Sequence, residues 1–381
     1  MGGVMKINKK ILIHQFILFS AINLSSSICL PTMPEIDDKA KSNRALFENK
    51  SIAILGGTGY LGRAIGEEVL KYNPKNVILF SRDEVKHFYV LSKVFNNNPK
   101  VISILGDIRD YESLLKTTRN VDIIFHVAAL KRMDCLEDNV EEAIKTNILG
   151  SINVFNACVA NNVKKVLFIS TDKACSPINT YGACKFVSEK IFTNYDIKSY
   201  STSFMAVRFG NILDSTGSVI PIFIDKIKNG QDITLTDDRM TRFIIDKSEA
   251  IDLIFDAIRY GQGGEIFIKK LSAMKIIDLI EVLKQKLNAT NTVKIVGLRP
   301  GEKIDEILIN ESEIMRAYAF KNFFVITPSL NDWIASHGEN MPSYVSKGER
   351  MKAYMNKEYS SGDTTICQDE LGTLLTRLGF L

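Results

Sequence analysis

The sequence predicts an α/β protein built on a doubly wound parallel sheet, with a smaller C-terminal domain beside it. Three observations point there. Six near-continuously apolar runs, rich in Val, Ile, Leu and Phe, recur through the first half of the chain. Helical patterns lie between them, at 60–72, 83–95, 138–161 and 181–194. The first run ends in a glycine-rich turn. Runs that are apolar at every position suit strands covered on both faces, and strand–helix alternation builds βαβ units.

The runs are 51–56, 76–81, 101–106, 121–129, 164–170 and 203–210. The first leads into Gly56-Gly57-Thr58-Gly59-Tyr60-Leu61-Gly62, with glycines at every third position. Gly56 permits a tight turn, Gly59 lets backbone approach a pyrophosphate, and Gly62 lets the helix pack on the sheet. The helix N-terminus adds free N–H groups and a positive dipole end for the anion. Gly56, Thr58, Gly59, Tyr60, Leu61 and Gly62 are therefore candidate cofactor contacts, and the sheet reads as a Rossmann-type dinucleotide-binding fold. The second strand ends in Ser81-Arg82-Asp83. An acid at this point accepts from the ribose 2′-hydroxyl of NAD, whereas Arg suits a 2′-phosphate. Arg82, with Lys86 one turn on, favours NADP over NAD, and Asp83 is the counter-indication. After the third strand, Asp107-Ile108 can reach the adenine.

The fifth strand ends in Ser170-Thr171-Asp172-Lys173, and Tyr181 and Lys185 follow four apart at a helix start, on one face. An ammonium beside a phenol lowers the tyrosine pKa, so Lys185 is expected to activate Tyr181 and to hold the ribose of the nicotinamide half. Beyond 210 the pattern is mixed: helices at 247–260 and 275–287, a strand at 264–268, polar loops at 211–218 and 234–243, an irregular stretch from 327 and a last helix at 368–378. The organisation expected is an N-terminal extension (1–48), an NADP-binding domain (49–210), a substrate domain (211–327) with some elements returning to the first, and a tail (328–381). Residues 33–50 read as a linker.

The chain has 381 residues, 45% hydrophobic and 24% charged, which excludes collagen, long coiled coil and wholesale disorder. Its net charge is +4. Residues 1–50 hold seven Lys/Arg against four Asp/Glu, so the remainder is close to neutral and lacks the basic face of a nucleic-acid binder. The six cysteines show no metal-ligand spacing and no disulfide framework, and no metal is expected. Lys6, Lys9 and Lys10 precede an apolar stretch at 11–24. It resembles a signal peptide, is marginal as a membrane span, and admits a later start at Met33 or a membrane tether through residues 11–30.

The combination resembles the extended short-chain dehydrogenase/reductases. Five segments, STDKACSPINTYGACK (170–185), HVAALKRMDCLEDNVEEAIKTNILGSINV (126–154), VRFGNILDSTGSVIP (207–221), TDDRMTRF (236–243) and LRPGEKIDE (298–306), resemble the inverting UDP-N-acetylglucosamine 4,6-dehydratases of the polysaccharide-biosynthesis group. The resemblance implies that Tyr181 deprotonates the sugar 4-hydroxyl as hydride leaves carbon 4 for NADP. It implies that Lys173, neutral through burial among other cations, is the base at carbon 5. Asp172, protonated, would be the acid at the 6-hydroxyl, with Thr171 beside them. It also implies that Ala128, Ala129 and Lys131 face the cofactor, that Lys131 also nears the sugar, and that Asn211, Arg242 and Arg299 hold the diphosphate and uridine. Arg132-Met133-Asp134, Asp214 and Thr216 depart from the group's pattern at the sugar pocket. Two other readings fit the same scaffold: a UDP-sugar 4-epimerase, which leaves mass unchanged, and a catalytically silent NADP-sensing protein, which would have lost the Tyr/Lys pair. UDP-sugar and NADP are cytosolic pools, so a cytoplasmic body is expected, and residues 11–30 allow a tether to the inner face of a membrane. Helices 138–161 and 181–194 are expected to pack in a homo-oligomer.

Overall fold

The computed structural model describes residues 39–194, 201–215, 218–328, 348–351 and 357–381. The apolar stretch at 11–24, the residues proposed as a tether, Met33 and Thr216 lie outside the described residues. In the first half the order is α1 (Lys39–Phe47), β1 (Ser51–Leu55), α2 (Tyr60–Leu70), β2 (Asn76–Ser81), α3 (Glu84–Tyr89), β3 (Val101–Leu105), α4 (Tyr111–Thr117), β4 (Ile123–His126), α5 (Met133–Asp138), α6 (Val140–Ala143), α7 (Gly150–Ala160), β5 (Lys165–Ile169), α8 (Thr180–Asn194) and β6 (Ser203–Arg208). All six expected strands are present. The helix expected at 138–161 begins after a break at Asn139 and runs through α6, a π-helical stretch (Ile144–Leu149) and α7.

The second half continues with β7 (Asn211–Ile212), α9 (Val219–Lys228), β8 (Ile233–Leu235), β9 (Thr241–Ile245), α10 (Lys247–Tyr260), β10 (Ile266–Lys269), β11 (Ala273–Lys275), α11 (Ile276–Lys286), β12 (Val293–Ile295), β13 (Ile307–Ile309), α12 (Glu311–Ile314), β14 (Ala317–Ala319), β15 (Phe323–Ile326), β16 (Glu349–Arg350), β17 (Tyr359–Ser360) and α13 (Gln368–Arg377). The main sheet has ten strands in the order β16-β14-β15-β10-β6-β5-β4-β1-β2-β3. From β3 to β10 every pairing is parallel, and β15, β14 and β16 add antiparallel. Strands β1, β4 and β5 are almost wholly buried, as two covering helix layers require. The order reverses between β1 and β4, and the crevice at their C-terminal ends is where such sheets bind ligands.

A second core holds Leu213, Ile220, Phe223, Met240, Leu279 and Leu375, with α9, α11 and α13 closed around the short strands. This is the smaller C-terminal unit.

Three expectations need correction. The linker at 33–50 contains α1: Phe47 is fully buried, 4.6 Å from the Phe255 ring, and Asn43 donates to the Tyr72 hydroxyl at 3.0 Å. Only Asn43 and Phe47 of that helix are buried, too few to show a period. The loop at 234–243 includes the ends of two strands, because β8 pairs with β12 and β9 with β11 and β7. The stretch beyond 327, expected to be irregular before its last helix, supplies β16 to the main sheet and β17 to β13.

Candidate active site

The crevice at the reversal point opens into a cleft of about 1670 Å³. The glycine turn forms one wall. Gly56 has φ +88°, and a methyl there would stand 2.8 Å from the Ala128 nitrogen on the neighbouring strand end. A methyl on Gly62 would stand 2.4 Å from the Gly56 carbonyl oxygen, so this glycine is spent on seating α2 and does not line the cleft. No side chain caps α2 at Gly59, which leaves its first N–H groups open to an anion. The cradle fits a dinucleotide pyrophosphate.

Thr58, Tyr60, Leu61, Ser81, Arg82, Asp107, Ile108, Ala128, Ala129, Lys131 and Lys185 also line the cleft. Ser81 Oγ bonds Thr58 Oγ1 at 2.7 Å and His87 Nε2 at 2.9 Å, and His87 Nδ1 reaches Ser103 Oγ at 2.6 Å, so the lip of the turn is braced from behind. Asp83 caps α3, accepting from the Lys86 N–H at 2.9 Å and pairing with its ammonium at 3.0 Å; these bonds hold its carboxyl below the usual range. Arg82 is half exposed, with Asp107 3.7 Å away. Asp107 is shared with Arg109 at 2.7 Å, and although burial pushes its carboxyl up, the Arg109 bonds outweigh that and hold it low.

The catalytic candidates gather on the floor. After β5, Thr171 opens a short 3₁₀ turn over Asp172–Ala174, accepting from the Lys173 N–H. The Thr171 hydroxyl donates to Asp172 Oδ1 at 2.8 Å, and Lys173 Nζ lies 3.1 Å from the same oxygen. Tyr181, Thr171 and Lys173 line the cleft, while Asp172 is buried just behind them. A methyl on Gly182 would stand 2.3 Å from the Lys173 carbonyl oxygen, so the start of α8 is seated directly on the 3₁₀ turn. Burial pushes Tyr181 up to about 12; the Lys173 charge and a bond with Thr171 oppose it.

Two side chains are arranged differently from expectation. Lys185, expected to act on Tyr181, is bonded to backbone. Its Nζ donates to the Ile169 carbonyl at 2.5 Å and sits 3.9 Å over the Phe168 ring, burial draws its pKa down to about 7, and the cation acting on the phenol is Lys173. Lys173, expected to be neutral among cations, is the second. Burial alone would lower its pKa, but the carboxylates of Asp172 and Glu306 outweigh burial and raise it. The balance at Lys173 thus favours the charged form, the reverse of the expected direction.

Of the residues expected at the substrate, Lys131, Asn211 and Arg299 line the cleft and Arg242 does not. Arg242 lies on β9 with its guanidinium turned inward, donating to the Thr241 and Ile304 carbonyls at 2.6 and 3.0 Å, with Nε 3.8 Å from Glu306. Its Nη1 is thus held by backbone, and Nη2 faces the Met240 sulfur at 3.7 Å. At the rim, Arg132 and Asp134 pair with each other at 2.8 Å. Asp214 acts on the Tyr60 hydroxyl, whose pKa burial and this carboxylate raise.

Sequence reasoning missed Glu306. It ends the 298–306 motif, yet its partner Lys173 is remote in the chain, and nothing in the spacing joins them. Asp172 Oδ2, Glu306 Oε2 and Ser170 Oγ are buried without a hydrogen-bond partner among the described residues; the two carboxyl groups flank Lys173, and Ser170 follows the end of β5. No group of three or more His, Cys, Asp or Glu among the described residues could hold a metal, and no helix among them is long and apolar enough to cross a membrane.

Comparison with known proteins gives the family and the fold. A family model described as polysaccharide biosynthesis protein matches residues 52–328. A protein of Campylobacter jejuni named UDP-N-acetylglucosamine 4,6-dehydratase (inverting) is 39% identical over 329 residues, covering 85% of this chain and 96% of its own. A protein of Rickettsia bellii named UDP-glucose 4-epimerase is 36% identical over 343 residues, covering 88% of this chain and 98% of its own. The X-ray structure of Pen from Bacillus thuringiensis superposes with a TM-score of 0.78 at 36% identity, covering 87% of this chain and 99% of that one.

Proposed function

The chain belongs to the polysaccharide biosynthesis protein family, and on that premise we propose that it is an NADP-dependent UDP-N-acetylglucosamine 4,6-dehydratase that inverts carbon 5. The observation that carries this reading is the Asp172–Lys173 pair, 3.1 Å apart, with Lys173 lining the cleft beside Tyr181 and Asp172 buried behind it. Exchange at carbon 4 alone needs one proton acceptor, and Tyr181 suffices for it. An acid and a base beyond the tyrosine are what removal of the carbon-5 proton and the 6-hydroxyl requires. The 4-epimerase reading is supported by the name of the Rickettsia bellii relative, but it leaves that pair without a task.

The bound nicotinamide supplies a hydride acceptor for carbon 4 and a hydride donor for carbon 6. The chain supplies the proton chemistry. Tyr181, as phenolate, takes the 4-hydroxyl proton; the Lys173 charge lowers the cost of that charge in a buried site. The ammonium of Lys173 and the carboxylate of Asp172 become an amine and an acid by one proton crossing the 3.1 Å bond between them. Lys173 then takes the proton at carbon 5, acidified by the 4-ketone. Asp172 donates to the departing 6-hydroxyl, and the ion pair is restored.

NADP rather than NAD is supported by the exposed Arg82 and by the engagement of Asp83 as a helix cap. Lys131, Asn211 and Arg299 would meet the sugar and diphosphate, with Arg299 suited to a bidentate phosphate contact. Homo-oligomer formation through α6–α7 and α8 is supported by exposed Val140, Ile144, Leu149 and Val187 on those elements. A cytoplasmic location is supported by the cytosolic pools of the proposed substrates. Lys173→Ala tests the reading: it is expected to abolish loss of water from UDP-N-acetylglucosamine, followed by mass, while NADP binding is kept. Retained water loss would refute it.

A further inference from the structure

Lys173 has a second carboxylate beside it, which neither the glycine turn nor the Tyr-x-x-x-Lys helix supplies. Glu306 Oε1 lies 3.3 Å from Lys173 Nζ. Glu306 is 3% exposed, its Oε2 has no hydrogen-bond partner among the described residues, and the other nearby cation is Arg242, with Nε 3.8 Å from Oε1. Its backbone is fixed from the far end of the chain. The Glu306 N–H donates to Ser361 Oγ at 2.9 Å, the Ser361 N–H donates to the Glu306 carbonyl at 2.9 Å, and Ile307 pairs with Ser360. Thr241 and Ser361 share a hydroxyl–hydroxyl bond of 2.6 Å, and Thr241 also donates to Asp305. A carboxylate withdrawn from water with one oxygen unpaired is costly unless a neighbouring charge uses it. Here the segment after β17 holds that carboxylate against the amine of the cleft floor.

We propose that Glu306 is a positioning residue for the reaction: through Lys173 it holds the amine against Asp172 and keeps a fixed negative charge beside it while protons move. The proposal rests on the dehydratase reading and deepens it. As the C5–H bond breaks, an N–H bond forms on Lys173; the electron pair left on carbon forms the C5–C6 double bond as the C6–O bond breaks. The Asp172 proton leaves with that oxygen as water. Glu306 exchanges no proton, and its charge stabilises the ammonium that Lys173 becomes. The groups that face this centre are Asp172 and Lys173 from the 3₁₀ turn, Tyr181 from α8 and Arg242 from β9. Asp305 is turned away towards Thr241 and Gly362.

The test is Glu306→Gln in the full chain, with two readouts. The first is the pH midpoint of Lys173 acylation by acetic anhydride, followed by peptide mass spectrometry, which needs no turnover. The second is the pH profile of water loss from UDP-N-acetylglucosamine. Loss of a neighbouring charge moves a pKa by roughly one to three units. The midpoint is expected to fall by that amount, the alkaline limb of kcat to move the same way, and turnover to drop at least about tenfold, with NADP affinity unchanged. An unmoved midpoint in a variant that still binds NADP would overturn the proposal. If Glu306→Gln does not fold, Glu306→Asp, which sets the charge one methylene further back, is expected to lower the midpoint by less, and no shift there overturns the proposal equally. A falling midpoint in a protein that never dehydrates UDP-N-acetylglucosamine would defeat the dehydratase reading while sustaining the hold of Glu306 on Lys173.

Discussion

Replacing Arg82 by alanine separates the two nicotinamide cofactors. Arg82 stands at the end of β2, half exposed, and its only ion-pair partner among the described residues is Asp107 at 3.7 Å, a carboxylate already bound more closely by Arg109 at 2.7 Å. Releasing so loose a surface pair costs about 0–1 kcal/mol. A hydrogen-bonded contact with a 2′-phosphate contributes about 1.5–3 kcal/mol. The net contribution to NADP binding is then about 0.5–3 kcal/mol, or roughly 2- to 160-fold in Kd. Titration calorimetry with NADP and NAD, at one fixed salt concentration, reads it. Arg82→Ala is expected to weaken NADP by that factor and to leave NAD within about twofold, because the pyrophosphate cradle at Gly56–Gly62 is untouched. Equal weakening of both cofactors, or none of either, would refute the reasoning and return Asp83 as the reader of a free ribose.

Other outcomes follow from the same geometry. Tyr181→Phe removes the proton acceptor for the 4-hydroxyl and is expected to lower kcat by about 10²–10⁴ in a single-turnover assay, with NADP affinity unchanged. Gly56→Ala puts a side chain on a φ of +88°, 2.8 Å from the Ala128 nitrogen; left-handed backbone alone costs an ordinary residue about 1–2 kcal/mol, so both cofactors should weaken and the melting temperature should fall. Arg208 is fully buried and bonded to Glu189, Glu313 and the Leu308 carbonyl, so Arg208→Met strands two buried carboxylates and is expected to cost about 3–5 kcal/mol in denaturant unfolding. The pH response should also reverse. Burial pushes the Glu313 carboxyl up, but Arg208 outweighs it and holds it at about 2, so its stabilisation is present above the ordinary value of 4.5 and fades as pH falls towards 2. Without Arg208, burial raises the folded pKa above the unfolded one, and acidification should recover part of the lost stability.

The parts of the fold that could be read in the chain are those where one physical demand governs every position. Strands β1, β4 and β5 are covered on both faces, so their apolar runs are unbroken, and Gly56 stands where backbone crowding excludes a side chain. Helix α1 escaped notice because two inward residues make no pattern. The site is a sharper case. Spacing puts Tyr181 and Lys185 on one helix face, but it cannot say that the ammonium turns to the Ile169 carbonyl. Which cation acts on the phenol is decided in three dimensions, by the 3₁₀ turn that brings Lys173 there. Nor can spacing say that the Arg242 side chain follows β9 inward. Glu306 stands beside Lys173 next to the pairing of β13 with β17, a contact between segments that carry no common motif.

The decisive measurement is incubation of the wild-type protein with UDP-N-acetylglucosamine and NADP in deuterated water, with the product followed by mass and proton spectra. The expected product has lost one water, carries solvent deuterium at carbon 5 and is inverted there, because the acid, the base and the phenol on the cleft floor each have a proton to move. A product of unchanged mass, altered only at carbon 4, would contradict it and leave Asp172 and Lys173 without a chemical role.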